Sequence, residues 1–319
     1  MFWDAAPIAC ALIKNVTLNY LNIGQNDIGD SGAALLGQAL SINKTLQTLI
    51  LDNNSIFNAL PFCNGLRTNT GLRTLSLWAN YVGDDGIVEF AMALHHNRTL
   101  QSACLHDTNF KVSGAHALCE ALKVNESLLT LDIGNNEFGS DGAEFIAIGL
   151  ENNRSLEALD MSTNCISEEG ALCMGKALSK NESLQELFLG DNFICHGSIN
   201  LANALKTNKS LHTLILCCNR IKDDGAESFS EALKINSTLV ILNLGRNEIT
   251  EVGAEKLANA LMTNSVLKSL DLQRNWLDPV RNAALFTETL IVNKTLQVTL
   301  WVNHDLSYSW PTMNDAWTY

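Results

Sequence analysis

Leucine and its apolar relatives fall along this chain in a repeating alternation. Leucine is followed by two variable positions, leucine, one variable position, leucine, two more variable positions and asparagine. The stretches LNYLNIGQNDI (18–28), LQTLILDNNSI (46–56), LRTLSLWANYV (72–82) and LLTLDIGNNEF (128–138) follow it, as do LEALDMSTNCI (156–166) and LQELFLGDNFI (184–194). LHTLILCCNRI (211–221), LVILNLGRNEI (239–249) and LKSLDLQRNWL (267–277) continue it, and a degenerate copy, LQSACLHDTNF, lies at 100–110. Most copies start 28 residues after the one before. Leucines separated by a single residue point to one face of a strand. In the second half of each copy the apolar spacing becomes helical, as at Ala143, Ile146, Ala147 and Leu150. Each unit is therefore predicted as a strand, a turn and an amphipathic helix. Such a unit cannot bury its own apolar face, but stacked neighbours can.

The LxxLxLxxNxI first half, the 28-residue length and the GDxGAxxLxxALxxN second half resemble the leucine-rich repeat of the ribonuclease-inhibitor-like subfamily. That group includes ribonuclease inhibitor, the Ran GTPase-activating protein, tropomodulin-type actin regulators and the repeat ends of NOD-like receptors. The resemblance covers residues 4–304. It implies an α/β leucine-rich repeat solenoid (horseshoe), with a parallel β-sheet on the concave face and helices on the convex face. Strands sit ~4.8 Å apart while helices need ~8–10 Å, so each unit should turn by on the order of 20°. The expected organisation is an N-terminal cap or half repeat over 1–17, about ten to eleven repeats over 18–304, and a C-terminal tail over 305–319. Residues 4–15 align with the helix half of a repeat whose strand is missing, which fits either a cap or a piece of a longer protein. In the tail, Tyr308, Trp310, Trp317 and Tyr319 could cover the open end of the core or dock a partner.

Asparagine recurs at Asn26, Asn54, Asn80, Asn136, Asn164, Asn192, Asn219, Asn247 and Asn275. An amide has two donors and an acceptor, enough to bond its own turn and the next, so these residues are predicted to form a structural ladder. Thr108 takes this place in the fourth copy, and its single donor predicts a weaker rung. Glycine recurs at 32, 86, 114, 142, 170, 225 and 253, where it should open the helix or let it approach the strand, and Ser198 replaces it once. Copy two, with Pro61 and a 26-residue spacing, should hold a short helix. The tetrapeptide NESL appears at 125–128 and 181–184, and Asn-x-Ser/Thr recurs at Asn15, Asn43, Asn97, Asn125, Asn153, Asn181, Asn208, Asn236 and Asn293. Each copy lies just past a helix, so the triplets read as helix-ending residues in the left-handed conformation rather than as sugar acceptors. Another triplet, at Asn53, is expected within a strand.

The formal net charge is −13, which argues against nucleic acid, because phosphate binding needs clustered Lys and Arg. Residues 1–160 carry 17 acidic and 8 basic side chains, so any steering should favour a basic or neutral protein partner. No apolar run approaches the ~18–20 residues that span a membrane, so membrane insertion is not expected. Nine cysteines without framework spacing suggest a reduced, cytoplasmic compartment.

Positions three, five and seven of each LxxLxLx face the concave surface. A partner-binding row is expected there, through Trp78, His106, Asp132, Asp160, Phe188 and Ile215. Trp78 should neighbour His106, Asp132 should neighbour Asp160, either as solvated carboxylates or with a cation or basic partner between them, and Phe188 should neighbour Ile215. Trp78 and Phe188 are read as exposed anchors. Cys104, His106 and Asp132 could converge on one face, but no nucleotide, zinc-protease or hydrolase motif accompanies them, so no catalytic residue, metal site or cofactor is assigned. The side chains of Cys217 and Cys218 should point to opposite faces. The leading reading is a non-enzymatic protein-binding scaffold. The resemblance also allows an activating protein of a small GTPase, or the repeat fragment of a NOD-like receptor type sensor.

Overall fold

A computed structural model describes residues 5–300, so the aromatic tail lies outside the described residues. The strands are three residues long: β1 Tyr20–Asn22, β2 Thr48–Ile50, β3 Thr74–Ser76, β4 Ser102–Cys104, β5 Thr130–Asp132, β6 Ala158–Asp160, β7 Glu186–Phe188, β8 Thr213–Ile215, β9 Ile241–Asn243, β10 Ser269–Asp271 and β11 Gln297–Thr299. The helices are α1 Ala6–Lys14, α2 Gly29–Ile42, α3 Leu60–Thr68, α4 Gly83–Leu94, α5 Val112–Leu122, α6 Gly139–Asn152, α7 Glu168–Leu178, α8 Ser198–Leu205, α9 Lys222–Leu233, α10 Glu251–Leu261 and α11 Pro279–Val292. The strands follow one another through the sheet in chain order, and the pairing is parallel. The register advances by whole repeats, with Thr48 opposite Thr74 and Thr213 opposite Ile241. Contacts gather into two compact units, residues 1–159 with 163–165, and 160–162 with 166–319.

The alternating leucines form the core between sheet and helices. Leu49, Leu51, Leu75, Leu131, Leu214, Leu216 and Leu242 are all fully buried. The helices meet this layer with small and apolar residues; α6, for example, buries Gly142, Ala143, Ile146, Ala147, Gly149 and Leu150. Helix α3 is nine residues long with Pro61 in its first turn, as copy two predicted. Its backbone lies directly on α2: a Cβ at Gly65 would fall 1.9 Å from the Gly37 carbonyl oxygen. The repeating glycine has a different neighbour from the strand that the sequence suggested. At Gly32 and Gly86 a Cβ would sit 2.1 and 2.3 Å from Ile28 and Val82, the apolar residues that precede each helix.

The ladder is present and works through both ends of each amide. Asn54 Nδ2 donates to Leu51 O in its own unit and to Ile23 O in the one before, both at 2.9 Å. Its Oδ1 accepts from Asn26 N at 3.0 Å and Ile28 N at 3.3 Å. Asn247 repeats the arrangement with Leu216 O, Asn219 N and Ile221 N. At the fourth rung, the Thr108 hydroxyl donates to Leu105 O at 2.7 Å, but no bond reaches back to Leu77 O, and none runs from the Asn80 or Val82 amide to Thr108 among the described residues. One donor thus does half the work of two.

The Asn-x-Ser/Thr triplets form a second ladder, at the helix ends. Asn125 Nδ2 donates to Leu94 O and Asn97 O, and its Oδ1 accepts from Ser127 N and Leu128 N. The expected left-handed conformation is absent: Asn43 has φ −71° and ψ 129°, and Asn153 φ −75° and ψ 140°. An extended backbone lets the amide reach across to the neighbouring unit while the chain turns into its strand. The left-handed residues lie instead beside the first ladder, at Gln25 and Asp27, Asn135 and Glu137, Cys218 and Arg220. Asn53 belongs to this set at φ 49°, in the turn after β2 rather than in a strand.

Candidate functional site

The sheet face turned away from the helices carries positions three, five and seven. Five of its strands end in a common local motif. An Asp or Asn at position five accepts from the amide two residues on: Asn22 from Gly24, Asp132 from Gly134, Asp160 from Ser162, Asn243 from Gly245 and Asp271 from Gln273, at 2.7–3.0 Å. These are Asx turns, which bend the chain out of the strand. The motif was legible as an acidic or amide residue two places before Gly24, Gly134 or Gly245, but the sequence reading missed it.

This motif changes the expected exposure of the row. Asp132 and Asp160 are 0% and 3% exposed, so they are not the solvated carboxylates that were expected. Phe188 and Ile215 lie opposite each other as expected, but they are 7% and 8% exposed, so Phe188 is not an open anchor. Neighbouring strands ~4.8 Å apart leave little water between side chains of adjacent rungs. Position seven is the more open: Trp78 keeps 38% of its surface.

In the first unit, β3, β4 and β5 bring together a polar cluster. The expected convergence of Cys104, His106 and Asp132 is present. His106 Nδ1 lies 3.2 Å from Asp132 Oδ1, and Cys104 Sγ donates to Asp132 Oδ2 at 3.5 Å. With Gly134 N, the buried carboxylate has three partners, which offsets the cost of its desolvation. Gly134 must be glycine for this, since a Cβ would meet His106 Nδ1 at 2.6 Å. Burial and then the Asp132 charge push the Cys104 thiol well up, so it stays protonated as a donor rather than acting as a nucleophile. One rung back, Asp52 Oδ1 accepts from the Ser76 hydroxyl and, at 3.2 Å, from Trp78 N. Burial raises its pKa against both bonds. Trp78 and His106 are adjacent, as expected, with Ala79 N donating to His106 O at 3.1 Å. No three His, Cys, Asp or Glu side chains are placed to hold a metal ion among the described residues.

In the second unit the same face is filled differently. Phe188, Ile215 and Cys217 are buried side by side with Gly190, whose Cβ position lies 2.9 Å from Cys217 Sγ. Cys217 is buried, while Cys218 is half-buried with φ 59°. The neighbouring Cys218 thiol and burial raise the Cys217 pKa. Further along, Asp271 holds Gln273 by N and by Nε2, and burial raises its pKa to about 6.

A second set of carboxylates, unassigned from sequence, joins consecutive repeats at their helix starts. Asp84 accepts from Lys111 N and Gly114 N, and Asp223 from Thr250 N and Gly253 N. Each places negative charge at the N-terminus of the next helix, where the backbone dipole favours it. The Asp of GDxGA was the visible signal.

A Leucine Rich repeat family model matches residues 14–37, 124–147, 152–175, 207–230 and 236–258. Ribonuclease inhibitor of Sus scrofa is 33% identical over 121 residues, 37% of this chain and 26% of that protein. NACHT, LRR and PYD domains-containing protein 14 of Homo sapiens is 34% identical over 119 residues, 36% of this chain and 11% of that protein. The chain thus spans about a quarter or less of the length of these relatives. Among solved structures, the TLR13–ssRNA13 complex matches with a TM-score of 0.53 and 18% identity, over 90% of this chain and 38% of that one, a likeness of fold. Among the described residues no helix is long and apolar enough to cross a membrane.

Proposed function

Because the chain is a leucine-rich repeat protein of the ribonuclease-inhibitor-like type, we propose that it is a non-enzymatic scaffold that holds a protein partner on the helix-free face of its sheet. The observation that carries this reading is Trp78, a large aromatic left 38% exposed on that face beside the buried Ser76, Cys104 and Asp132. Aromatic anchors of this kind dominate the energetics of protein interfaces. Around it, Asp52, Ser76 and the His106–Asp132 pair supply fixed polar groups for orientation. In the first unit the anchor set is therefore centred on Trp78 and His106, with Asp132 shaping the floor; in the second unit Asp160, Phe188 and Ile215 are the candidate contacts, each mostly covered. The acidic balance of residues 1–160 suits a basic or neutral partner.

The test is a parallel affinity purification from native cells with the wild-type chain, Trp78→Ala and a helix-side control, Met92→Ala. A partner retained by the wild type and the control but lost with Trp78→Ala, while that variant stays folded, supports the reading. Equal retention by all three removes the helix-free face from consideration.

A further inference from the structure

The first unit carries a second exposed aromatic feature, on the loops that lead from strand to helix. Phe57 and Tyr81 stack with ring centroids 5.5 Å apart and planes 10° from parallel. They are 59% and 61% exposed, so the pair offers its outer faces to solvent. Phe57 is also one wall of a groove of about 370 Å³, lined by Asn58, Leu60, Asp85, Val88 and Glu89. Asp85 and Glu89 stand four residues apart on α4 and share a face of that helix. Glu89 is weakly paired to Arg67 at 4.0 Å. Asp85 is exposed and has no hydrogen bond or ion pair among the described residues, unlike Asp84 beside it, which caps the next unit. The Phe57 amide is held in place by Asp30 Oδ1 at 2.7 Å, so the ring stands on a fixed backbone.

Stacked rings present negative faces, and an unpaired carboxylate beside them adds a full charge. Both attract a cation, and a planar guanidinium satisfies both by lying on a ring while its N–H fork meets the carboxylate. We propose that this groove binds an arginine side chain presented by an extended segment of a partner protein, with the guanidinium on the outer face of Phe57, which Tyr81 backs, and its N–H groups on Asp85. The inference goes beyond the helix-free face and does not need it. The stack and the groove are built by the loop after β2, the loop after β3 and the first turns of α3 and α4. The excess of 17 acidic over 8 basic residues in 1–160 would draw such a segment in.

The same repeat frame supplies an internal control. Asp141 holds the place of Asp85 in the unit of α6, but Glu137 stands there where Tyr81 stands, and Lys111 where Phe57 stands. A fluorescently labelled Gly-Gly-Arg-Gly-Arg-Gly-Gly peptide is titrated against the full chain at physiological salt, beside its citrulline and lysine counterparts. The arginine peptide is expected to bind at least about tenfold more tightly than either counterpart, and Phe57→Ala, Tyr81→Ala and Asp85→Asn are each expected to weaken it by about tenfold. Asp141→Asn and Trp78→Ala are expected to leave it unchanged. All five side chains are exposed, and circular dichroism checks that each variant is folded. Equal binding of the citrulline or lysine peptide overturns the proposal. So does a loss with Asp141→Asn as large as that with Asp85→Asn, which would mark a general field of the acidic chain. A loss confined to Trp78→Ala would place the peptide on the sheet and overturn the groove. Failure of Trp78→Ala to release a native partner would leave this result untouched.

Discussion

The helix-free faces of the two units stand on one frame and are filled in opposite ways. In the first, Asp52, Ser76, Cys104, His106 and Asp132 make a hydrogen-bonded floor beneath an open Trp78. In the second, Phe188, Ile215 and Cys217 close over one another, and the polar groups retreat to Asn243, Asp271 and Gln273. Leucines behind the sheet and asparagines beyond it are the same in both. The frame therefore leaves positions five and seven free to vary, and what they hold decides whether the face is packed shut or keeps an open aromatic over a polar floor.

The sharpest test of that contrast is truncation of its two aromatics. Phe188→Ala should destabilise the chain by about 3–5 kcal/mol, as for a buried ring removed from packed surroundings. Trp78→Ala should cost less, about 1–2 kcal/mol, because part of its surface is already in water. Urea unfolding of both variants checks this, and equal losses would erase the distinction between the faces.

Next in size is the effect of Asp271. Its folded pKa is raised by burial from 3.8 to about 6, so the folded chain binds the proton more tightly than the unfolded chain does. The associated stability is complete below pH 3.8, declines as pH rises through about 6, and stays lost above it. Asp271→Asn should flatten that slope and raise stability at neutral pH by on the order of 2–3 kcal/mol. Thermal melts between acidic and neutral pH would show it. An unchanged slope would mean that Asp271 is no more desolvated than an ordinary surface carboxylate.

The smallest expected change is a repair. Thr108→Asn should restore the missing reach to Leu77 O and the acceptor for the Asn80 amide, adding about 1 kcal/mol. If the midpoint does not rise, the fourth rung is already satisfied by other means.

Much of this was legible because the repeat states it many times over. Leu49 and Leu51, or Leu214 and Leu216, announce a strand with one buried face, and Asn54, Asn136 and Asn247 announce the ladder. What stayed hidden lies where one residue depends on its neighbours in space. Asp132 reads as a free carboxylate until Gly134, Cys104 and His106 are seen around it. Phe188 reads as exposed until Ile215 is seen against it. The backbone of Asn43 could not be told from the triplet alone, because a left-handed and an extended helix end use the same letters. Asp84 and Asp223 stand at the Asp position of the GDxGA pattern, whose role stayed hidden because the amides they cap lie 27 to 30 residues further on.

From Asn54 onward the ladder asparagines treat their neighbours alike: each gives to a carbonyl behind and to one of its own, and, as at Asn54, receives from amides behind. A rung so built does not depend on which rung it meets. The chain is thus a ruler marked in interchangeable divisions, and a gene that drops or doubles one division whole would leave matching edges at the join.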